Sequence, residues 1–467
     1  MPDDSFDVLV LGGGPGGYVA AIRAAQLGFA TAVVEREHLG GICLNWGCIP
    51  TKALLRTAEI AHVLREQAAD FGFTIGEVRF DIAKAVERSR RVADRLSRGV
   101  ASLMKKHGIR VIDGEGRLAG PGLVAVRGRD DRTNDIAARH VVLATGARAK
   151  TVPGFEPDGE LIWTYREAMV PRLLPSSLLV LGSGAIGIEF ASFYRQLGTE
   201  VTVVELLPRI LPAEDEEISR LARKVFEKQG IKIHTGATLR AVEKQDDGLV
   251  VAIELEGGKS ERVTVQRAIS AVGITGNVEG LGLEGTAAVV DRGHVVVNEW
   301  LQTDEPGLYA IGDLVGPPWL AHKAMHEGVI CIERIAGEDV QPLDTTLIPG
   351  CTYSLPQIAS VGLTEEKARA DGREVRVGRF PWVGNGKAIT LGETEGIVKT
   401  IFDARTGELL GAHLLGPDVT ELIQGYAIAR GLETTRHELM RTVFPHPTLS
   451  EAMHESVLAA YDRVLHV

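Results

Sequence analysis

Two stretches of the chain show the same order of apolar and polar positions. Phe6–Leu11 is a nearly unbroken apolar run, which predicts a strand buried on both faces of a parallel sheet. A glycine-rich loop follows, then a helical pattern over Tyr18–Leu27, and then a second strand over Thr31–Val34 that ends at Glu35. The stretch that begins at Leu178 repeats this plan in the same order. The pattern therefore predicts one strand–loop–helix–strand unit used twice.

Both loops have the spacing G-x-G-x-x-G. The glycines are Gly12, Gly14 and Gly17 in the first copy, and Gly182, Gly184 and Gly187 in the second. In this pattern the first glycine makes a tight turn, the second lets the backbone approach a pyrophosphate, and the third lets the helix pack closely on the strand. The strand-end acids Glu35 and Glu205 are placed to accept a ribose hydroxyl. One such loop could be a packing feature, but two complete units predict two dinucleotide sites.

The acid of the second unit bears on which nicotinamide is used. A carboxylate at Glu205 repels a 2′-phosphate, which favours NAD over NADP. Arg209 lies four residues further on and is the kind of residue that accommodates such a phosphate. The sequence therefore favours NAD while leaving this one contrary feature in place.

Two of the four cysteines lie close together, at Cys43 and Cys48. The rise of an ideal helix would put them about 7.5 Å apart, beyond the roughly 7 Å over which Cα atoms can be bridged. We therefore expect a distorted segment, which Gly47 and Pro50 permit. Lys52–Leu64 has a helical pattern, so both sulfurs are expected near a helix N-terminus, where a thiolate is favoured.

Two other roles for this cysteine pair were weighed. Zinc would need two more ligands nearby, and Cys-x4-Cys is not a usual zinc spacing. Plain burial would not need the glycines around the pair. Cys331 and Cys351 are distant in the chain, so the four cysteines do not form a disulfide scaffold. The prediction is a redox-active pair and no metal site.

These features, with three further motifs, give the chain a resemblance to the pyridine nucleotide–disulfide oxidoreductase family over essentially its whole length. The parts already described are the first glycine-rich loop and the cysteine segment Gly41–Lys52. The three further motifs are Ala144–Gly146, Tyr309–Asp313 and His446–Glu451. The fold class that the resemblance implies is α/β, with two Rossmann-like dinucleotide-binding domains and a C-terminal α+β interface (dimerisation) domain. The implied divisions are an FAD-binding domain (1–150), an NAD-binding domain (151–275), a central domain completing the FAD site (276–347) and the interface domain (348–467).

The resemblance also implies roles for particular residues. Cys48 would lie against the flavin, and Cys43 would exchange with substrate. Lys52 and Glu189 would pair close to the flavin ring. The segment 320–324 fits the family, whereas residues 325–327 depart from its more acidic run. The remaining positions expected to bind cofactor are Gly116, Thr145, Gly146, Gly273, Gly312, Asp313 and Ala321.

His446 and Glu451 have two readings. Thr448–Glu451 spells S/T-x-x-E, which is a helix capping box. The alternative is an acid/base pair in which Glu451 orients His446 to accept a thiol proton. The residues alone leave both open, and the resemblance favours catalysis.

The implied activity is oxidation of a protein-bound dihydrolipoyl group with reduction of NAD, in a homodimer. The first strand begins at Phe6, so we expect the lipoyl group on a separate acyltransferase or carrier protein. That partner would belong to a 2-oxoacid dehydrogenase complex or a glycine cleavage system. Three other classes of the same family fit less well. Glutathione-type reductases favour NADP, mercuric reductases carry a C-terminal cysteine pair, and transhydrogenases lack the cysteine pair. A purely structural subunit would not require the whole set of motifs.

Composition narrows the remaining classes. A net charge of −11 argues against general nucleic-acid binding, and 54 glycines among 467 residues indicate many tight turns. The sequence contains no run of eighteen or more uncharged apolar residues, so it predicts no membrane-spanning helix. The acidic start of the chain leads directly into a strand, which predicts no targeting peptide and a cytoplasmic location. A processed organelle chain would look the same.

Overall fold

The computed structural model describes residues 5–467, so the prediction about a targeting peptide rests partly on residues outside the described range. The chain divides into two compact units, each built from separate segments. The first unit holds the described residues up to Ala53 together with Lys84–Lys150 and Gly273–Leu343. The second unit holds Leu54–Ala83, Thr151–Val272 and Asp344–Val467. The four-domain division remains a prediction.

The strands follow one another along the whole described chain. They are β1 (Ser5–Leu11), β2 (Thr31–Glu35), β3 (Arg110–Asp113), β4 (Glu115–Gly120), β5 (Leu123–Arg127), β6 (Thr133–Leu143), β7 (Ala147–Ala149), β8 (Ile162–Trp163), β9 (Ser177–Leu181), β10 (Glu200–Val204), β11 (Lys232–His234), β12 (Thr238–Gln245), β13 (Gly248–Glu254), β14 (Ser260–Val265), β15 (Arg267–Ser270), β16 (Ile274–Gly276), β17 (Val290–Asp291), β18 (His294–Val295), β19 (Leu308–Ala310), β20 (Gly350–Thr352), β21 (Gln357–Gly362), β22 (Val375–Pro381), β23 (Ile397–Asp403) and β24 (Leu409–Gly416).

The α-helices lie between some of these strands and at the end of the chain. They are α1 (Pro15–Gln26), α2 (Gly41–Trp46), α3 (Cys48–His62), α4 (Ile82–Lys106), α5 (Tyr165–Ala168), α6 (Ala185–Gln196), α7 (Glu216–Lys228), α8 (Ala321–Ala336), α9 (Glu365–Ala370), α10 (Gly386–Leu391), α11 (Val419–Gly431), α12 (Arg436–Arg441) and α13 (Glu451–Ala459). Short 3₁₀ turns span Leu283–Gly285, Gly312–Val315, Thr345–Leu347 and Trp382–Gly384, and a π-helical turn spans Val63–Gln67.

The first unit is built on a seven-stranded sheet in the order β3-β2-β1-β6-β5-β4, with β19 also paired to β6. Strand β1 runs parallel to both β2 and β6. Val8, Leu9 and Val10 are fully buried, and successive side chains enter two different apolar clusters. Burial on both faces is the reason the strand is a continuous apolar run rather than an alternating one. The predicted Rossmann-like core is confirmed.

The second unit holds the repeat of this plan and two antiparallel sheets. Its parallel sheet has the order β11-β10-β9-β15-β8, and β12, β13 and β14 form a three-stranded antiparallel sheet. The last sheet, β20-β21-β24-β23-β22, is antiparallel. Helices α11 and α13 contribute Tyr426 and Val457 to a core with Trp382 and Phe402. This mixed sheet and helix arrangement confirms the predicted C-terminal α+β region. In residues 5–467 no helix is long and apolar enough to cross a membrane.

A buried ion network lies at the start of α7 in the second unit. The Lys399 side chain is 3% exposed, and its Nζ lies 2.8 Å from Asp215, 3.0 Å from Glu217 and 2.9 Å from Glu365. Asp215 also caps α7 by accepting from the Glu217 N–H. Arg379 also lies 2.8 Å from Glu217 and 3.2 Å from Glu365. The three carboxylates are therefore shared between these two cations, and each charge in the network is paired, as burial requires.

Glu214, next to this network, predicts how stability responds to pH. Burial raises the pKa of Glu214 to about 7, and the Asp215 charge adds to the rise. The folded protein therefore holds a proton that the unfolded chain loses above an ordinary glutamate pKa, so stability falls as pH rises toward 7. Glu214→Gln removes this titration and is expected to raise Tm by roughly 2–5 °C at pH 8. The gain should vanish near pH 5 in calorimetry.

The matched control for this prediction is Glu256→Gln, since Glu256 is exposed in the same unit. Its Tm should follow that of the wild type at every pH. A Glu214→Gln protein that is no more stable at pH 8 than at pH 5, each relative to wild type, would contradict the assignment.

Candidate active site

The first glycine-rich loop connects β1 to α1 and is held in place by Glu35. The Gly13 N–H donates to Glu35 Oε2 at 2.7 Å, and the Glu37 N–H donates to Oε1 at 2.7 Å. Each carboxylate oxygen can accept a further hydrogen bond. The strand-end acid therefore orients the loop and still has capacity for a ribose hydroxyl.

The second loop is held in the same way by Glu205. Its Oε2 accepts from the Ser183 N–H at 2.8 Å and from Ser183 Oγ at 2.6 Å, while Oε1 accepts from the Leu207 N–H at 2.9 Å. Ser183 occupies the position of Gly13 and adds a second bond to the acid. The serine role was not predicted, although its position directly between two motif glycines could have suggested it.

The geometry at each glycine of the first loop fits the role that the spacing predicts. Gly12 has φ +105°, and a Cβ there would overlap the Ala144 carbonyl oxygen. A Cβ on Gly17 would overlap the Gly12 carbonyl oxygen, so these two glycines serve backbone packing. A Cβ on Gly14 would meet nothing closer than Gly41 Cα at 4.0 Å. The space beside Gly14 is therefore open, as a pyrophosphate site requires.

The second loop repeats this geometry. Gly182 and Gly187 have no room for a Cβ, because it would overlap the carbonyl oxygens of Ala271 and Gly182 respectively. Nothing lies within 4 Å of a Cβ built on Gly184. Helices α1 and α6 both begin directly after the second glycine, which is the N-cap residue, and no side chain caps either one. Their first N–H groups are therefore available to an anion.

The cysteine pair lies where one helix ends and another begins. Cys43 is in α2, Cys48 is the first residue of α3, and Gly47 between the helices has φ −146° and ψ −116°. The two cysteines lie near the distance of a disulfide bond. The predicted distortion is thus a complete helix break at Gly47. The prediction that the following helix starts at Lys52 is wrong, because the break lets α3 start four residues earlier.

Three polar side chains whose contacts the sequence did not predict hold the helix break in place. Asn45 Nδ2 donates to the carbonyls of Leu39 and Gly41 at 3.1 and 2.9 Å. Thr51 Oγ1 donates to the Gly47 carbonyl at 2.7 Å. Arg90 Nη1 donates to the Asn45 carbonyl at 2.6 Å, and its guanidinium lies over the Trp46 ring. Asn45 and Trp46 lie inside the cysteine motif, so their positions were the available signal.

The surroundings of the cysteine pair change the pKa of its thiols. Its hydrogen bond with Cys48 and then burial raise the pKa of the Cys43 thiol well above its usual range. The charge on Asp313 acts in the same direction, while Lys52 opposes it. The reduced pair therefore keeps one proton, shared between the two sulfurs, to high pH.

Two later segments of the chain, at Asn277 and at Gly312–Asp313, also belong to the first unit. The Thr145 carbonyl accepts from Asn277 Nδ2 at 2.8 Å, and Thr145 Oγ1 donates to the Asn277 carbonyl at 3.0 Å. The Asn277 N–H donates to Gly146 at 2.9 Å. Asn277 therefore fixes the predicted pair Thr145–Gly146, a role the sequence did not reveal because the partners are far apart in the chain. Gly312 and Asp313 open the 3₁₀ turn that follows β19.

The other predicted cofactor positions fall in different surroundings. Gly116 lies in β4, where a Cβ would meet the Leu11 side chain at 2.8 Å, so the structure gives it a packing reason. Gly273 has φ +107° and accepts the Lys150 N–H, and Ala321 is the first residue of α8. Glu189 in α6 is buried and accepts the Tyr353 N–H at 2.9 Å. Its pairing with Lys52 remains a prediction.

His446 and Glu451 are in direct contact. His446 Nδ1 lies 2.8 Å from Glu451 Oε1, and the histidine side chain is 79% exposed. Glu451 Oε2 accepts the Thr448 N–H at 2.9 Å, as one half of a capping box would. Helix α13 nevertheless begins at Glu451 itself, and the side chain of its N-cap residue, Ser450, bonds to the Thr448 hydroxyl and not to the helix backbone. Burial acts to raise the pKa of Glu451, but the Thr448 N–H and the imidazole hold it below its usual value.

The carboxylate thus orients the ring by accepting at Nδ1, which leaves Nε2 exposed to a reactant. Within the described range no group of three or more His, Cys, Asp or Glu side chains could hold a metal ion.

Comparison with known proteins gives the class first. Residues 6–328 match the family described as pyridine nucleotide-disulphide oxidoreductase, and residues 348–457 match the dimerisation domain of that family. The chain belongs to the pyridine nucleotide-disulphide oxidoreductase family.

Individual relatives narrow the class. The chain is 55% identical to the dihydrolipoyl dehydrogenase of Rhizobium etli and 54% identical to that of Zymomonas mobilis, over 99% of both chains in each case. Among solved structures, LpdA from Mycobacterium tuberculosis aligns with a TM-score of 0.90 at 29% identity, over 96% of this chain and 98% of that one. The flavoprotein disulfide reductase RclA from Escherichia coli, as its Cu(II) complex, aligns with a TM-score of 0.87 at 25% identity, over 97% and 99%.

The loop geometry predicts that two glycines of the second loop respond differently to one added methyl group. Gly184→Ala should fold with an unchanged Tm, since its Cβ meets nothing, but should weaken dinucleotide binding at least about tenfold by filling the pyrophosphate space. Gly187→Ala should lower Tm, because its Cβ overlaps the Gly182 carbonyl. Calorimetry and fluorescence titration with NADH check both. Full NADH affinity in a folded Gly184→Ala protein would contradict the assigned site.

Proposed function

We propose that this chain is a dihydrolipoyl dehydrogenase, which oxidises a protein-bound dihydrolipoyl group and reduces NAD through Cys43, Cys48 and FAD. The observation that carries the proposal is the cysteine pair at the helix break, in the same unit as an open pyrophosphate loop. Full-length similarity to dihydrolipoyl dehydrogenases supports the substrate. Two loops of equal geometry support two dinucleotides.

FAD is assigned to the first loop and NAD to the second. The residues that would hold FAD are Gly12, Gly14, Gly17, Glu35, Lys52, Gly116, Thr145, Gly146, Gly312, Asp313 and Ala321. Those that would hold NAD are Gly182, Gly184, Gly187, Glu205 and Gly273. Glu189 would pair with Lys52 close to the flavin ring. When bound, the flavin carries an electron pair between the cysteines and the nicotinamide.

The thiol chemistry follows from the protein groups. His446 accepts the proton of one substrate thiol, because only a thiolate attacks a disulfide. That thiolate attacks Cys43 Sγ, the bond between the cysteines breaks, and Cys48 leaves as a thiolate. The second substrate thiol then loses its proton and attacks the substrate sulfur that is bonded to Cys43. The bond to Cys43 breaks, Cys43 Sγ takes up a proton as it leaves, and the cyclic disulfide product is released. In the net reaction the substrate loses two electrons and two protons. Both electrons and one proton would reach NAD as a hydride, and the other proton would pass to solvent.

The different environments of the cysteines support this order. The hydrogen bond between the two sulfurs and their burial raise the pKa of the Cys43 thiol, so the reduced pair shares one proton and one negative charge over a wide pH range. Cys48 also lies at the N-terminus of the fifteen-residue helix α3, a position that favours a thiolate. Cys43 is thus the sulfur that exchanges with substrate, and Cys48 is the one that faces the flavin.

NAD is favoured over NADP by the surroundings of Glu205. The carboxylate would repel a 2′-phosphate, and the nearby cation is already engaged. Arg209 donates from Nη1 and Nη2 to the two carboxylate oxygens of Glu366 at 2.8 and 2.9 Å. A guanidinium that is already paired with a carboxylate is a poorer phosphate ligand. The presence of Arg209 therefore argues less strongly for NADP than it did from the sequence alone.

The partners follow from the same proposal. The lipoyl group would be carried by a separate acyltransferase or carrier protein. Two copies of the chain would associate through the dimerisation domain at residues 348–457. The dihydrolipoyl dehydrogenases of Rhizobium etli and Zymomonas mobilis are bacterial, which supports a cytoplasmic location.

The cofactor assignment predicts a large preference in steady-state assays with dihydrolipoamide. kcat/KM for NAD should exceed that for NADP by roughly 100-fold or more, about 2.7 kcal/mol. Glu205→Ala should narrow this gap by removing both the ribose contact and the repulsion. Glu200→Ala, an exposed glutamate at the other end of β10, is the matched control and should leave the ratio unchanged. Equal use of the two nucleotides by the wild type, or turnover of glutathione in preference to dihydrolipoamide, would overturn the proposed function.

A second prediction concerns the origin of the histidine. His446 and Cys48 fall in different units of the chain, and we propose that the dimer completes each site with the histidine of the partner subunit. Mixing inactive Cys48→Ser chains with inactive His446→Ala chains should then restore about a quarter of wild-type activity at random equal exchange. Half of the dimers are mixed, and each has one intact site.

Subunit exchange is monitored independently, with a different tag on each chain. Recovery of mixed dimers that have no activity would show that the histidine acts within its own chain.

A further inference from the structure

A buried ion pair lies on one face of α8 in the first unit. Lys323 and Glu327 are one helical turn apart, and their side chains are 3% and 7% exposed. Lys323 Nζ lies 2.9 Å from Glu327 Oε1. A buried pair is a costly way to fill a core, and removal of one partner leaves an uncompensated charge. The pair therefore needs an explanation beyond packing.

Both members of the pair bind the 3₁₀ turn that follows β19. Lys323 Nζ donates to the carbonyls of Gly312 and Gly316 at 3.2 and 3.0 Å. Glu327 Oε2 accepts the Gly312 N–H at 2.7 Å. The two side chains thus hold both ends of the turn through its backbone. An apolar pair of the same size would leave these buried backbone groups unsatisfied.

Helix α8 is itself locked to the helix of the first loop. A Cβ on Gly328 would lie 2.7 Å from the Gly16 carbonyl oxygen and 3.2 Å from the Ala20 nitrogen. A Cβ on Gly16 would lie 3.0 Å from the Ala324 carbonyl oxygen. The helices α1 and α8 therefore touch backbone to backbone. The pair consequently fixes the turn relative to the helix that begins at the pyrophosphate loop.

The turn carries Asp313, which links it to the dithiol. Burial raises the pKa of Asp313, while the charges of Lys323 and His294 oppose the rise. The Asp313 charge in turn raises the pKa of Cys43. Lys323 and Glu327 therefore lie in one electrostatic neighbourhood with the turn and the cysteines.

We propose that Lys323 and Glu327 are positioning residues for the flavin dinucleotide, which hold the Gly312–Gly316 turn and set the charge next to the flavin. The proposal rests on the FAD assignment made above. Because the two residues carry opposite charges, they should act alike on affinity and oppositely on redox potential. A reduced flavin is anionic, so a nearby positive charge raises the potential and a nearby negative charge lowers it.

The test uses Lys323→Met and Glu327→Gln in the full-length dimer at pH 8. FAD dissociation is followed by flavin fluorescence, and the flavin midpoint potential is measured by dye-linked reduction without lipoyl substrate or NAD. Both variants should bind FAD at least about tenfold more weakly. The potential should fall in Lys323→Met, which leaves the carboxylate, and rise in Glu327→Gln, which leaves the ammonium group. Lys323→Arg should restore most of the affinity.

Lys399→Met is the matched control, because it also breaks a buried ion pair but in the second unit. It should lower Tm and leave both FAD affinity and potential unchanged. Three outcomes would overturn the proposal. The first is an equal loss of FAD affinity in Lys399→Met and Lys323→Met, and the second is a potential that moves in the same direction in Lys323→Met and Glu327→Gln. The third is an unchanged FAD affinity in these two first-unit variants. Should Lys323→Met not fold, Glu327→Gln and Lys323→Arg decide it alone. Failure of the proposed function would be separate, since wild-type FAD binding and dihydrolipoamide turnover are measured independently.

Discussion

The structure depends on two places where backbone meets backbone with no room for a side chain. In each dinucleotide unit the third glycine of the loop, Gly17 or Gly187, lies against the carbonyl oxygen of the first. This contact closes the loop and presses the helix start onto the strand ends. It also places the first N–H groups of α1 and α6 in the open space beside Gly14 and Gly184. An anion can be held there without any charged side chain, because the helix ends supply the donors.

The second constraint acts on the cysteines. A continuous helix would keep Cys43 and Cys48 too far apart, so the chain breaks at Gly47 and begins again. The two sulfurs then occupy different positions in two helices. We propose that this asymmetry gives them different roles, with Cys43 exchanging with substrate and Cys48 holding the negative charge. Asn45 and Arg90 maintain the break through backbone carbonyls, so the reactive geometry is supported by groups that do not react.

The sequence predicted most of what is local and little of what joins distant segments. The bounds of β1 and the start of β9 were right to within one residue, because apolar runs next to glycine loops leave few alternatives. The start of α3 was wrong, since a helix break cannot be read from spacing alone. The sheet β12–β14 and the long helix α4 were not predicted. Lys323 and Glu327 have helical spacing, but nothing in the sequence shows that they are buried or bind a turn at Gly312.

The central claim is that the two cysteines have different roles, and it is tested most directly by anaerobic reduction of the flavin-loaded protein with dihydrolipoamide. Visible spectra and single-turnover rates are recorded for wild type, Cys43→Ser and Cys48→Ser. We expect a long-wavelength charge-transfer band in the wild type upon two-electron reduction. Cys43→Ser should keep a thiolate band and lose turnover, and Cys48→Ser should lose both. A Cys48→Ser protein that retains normal dihydrolipoamide turnover would contradict the account.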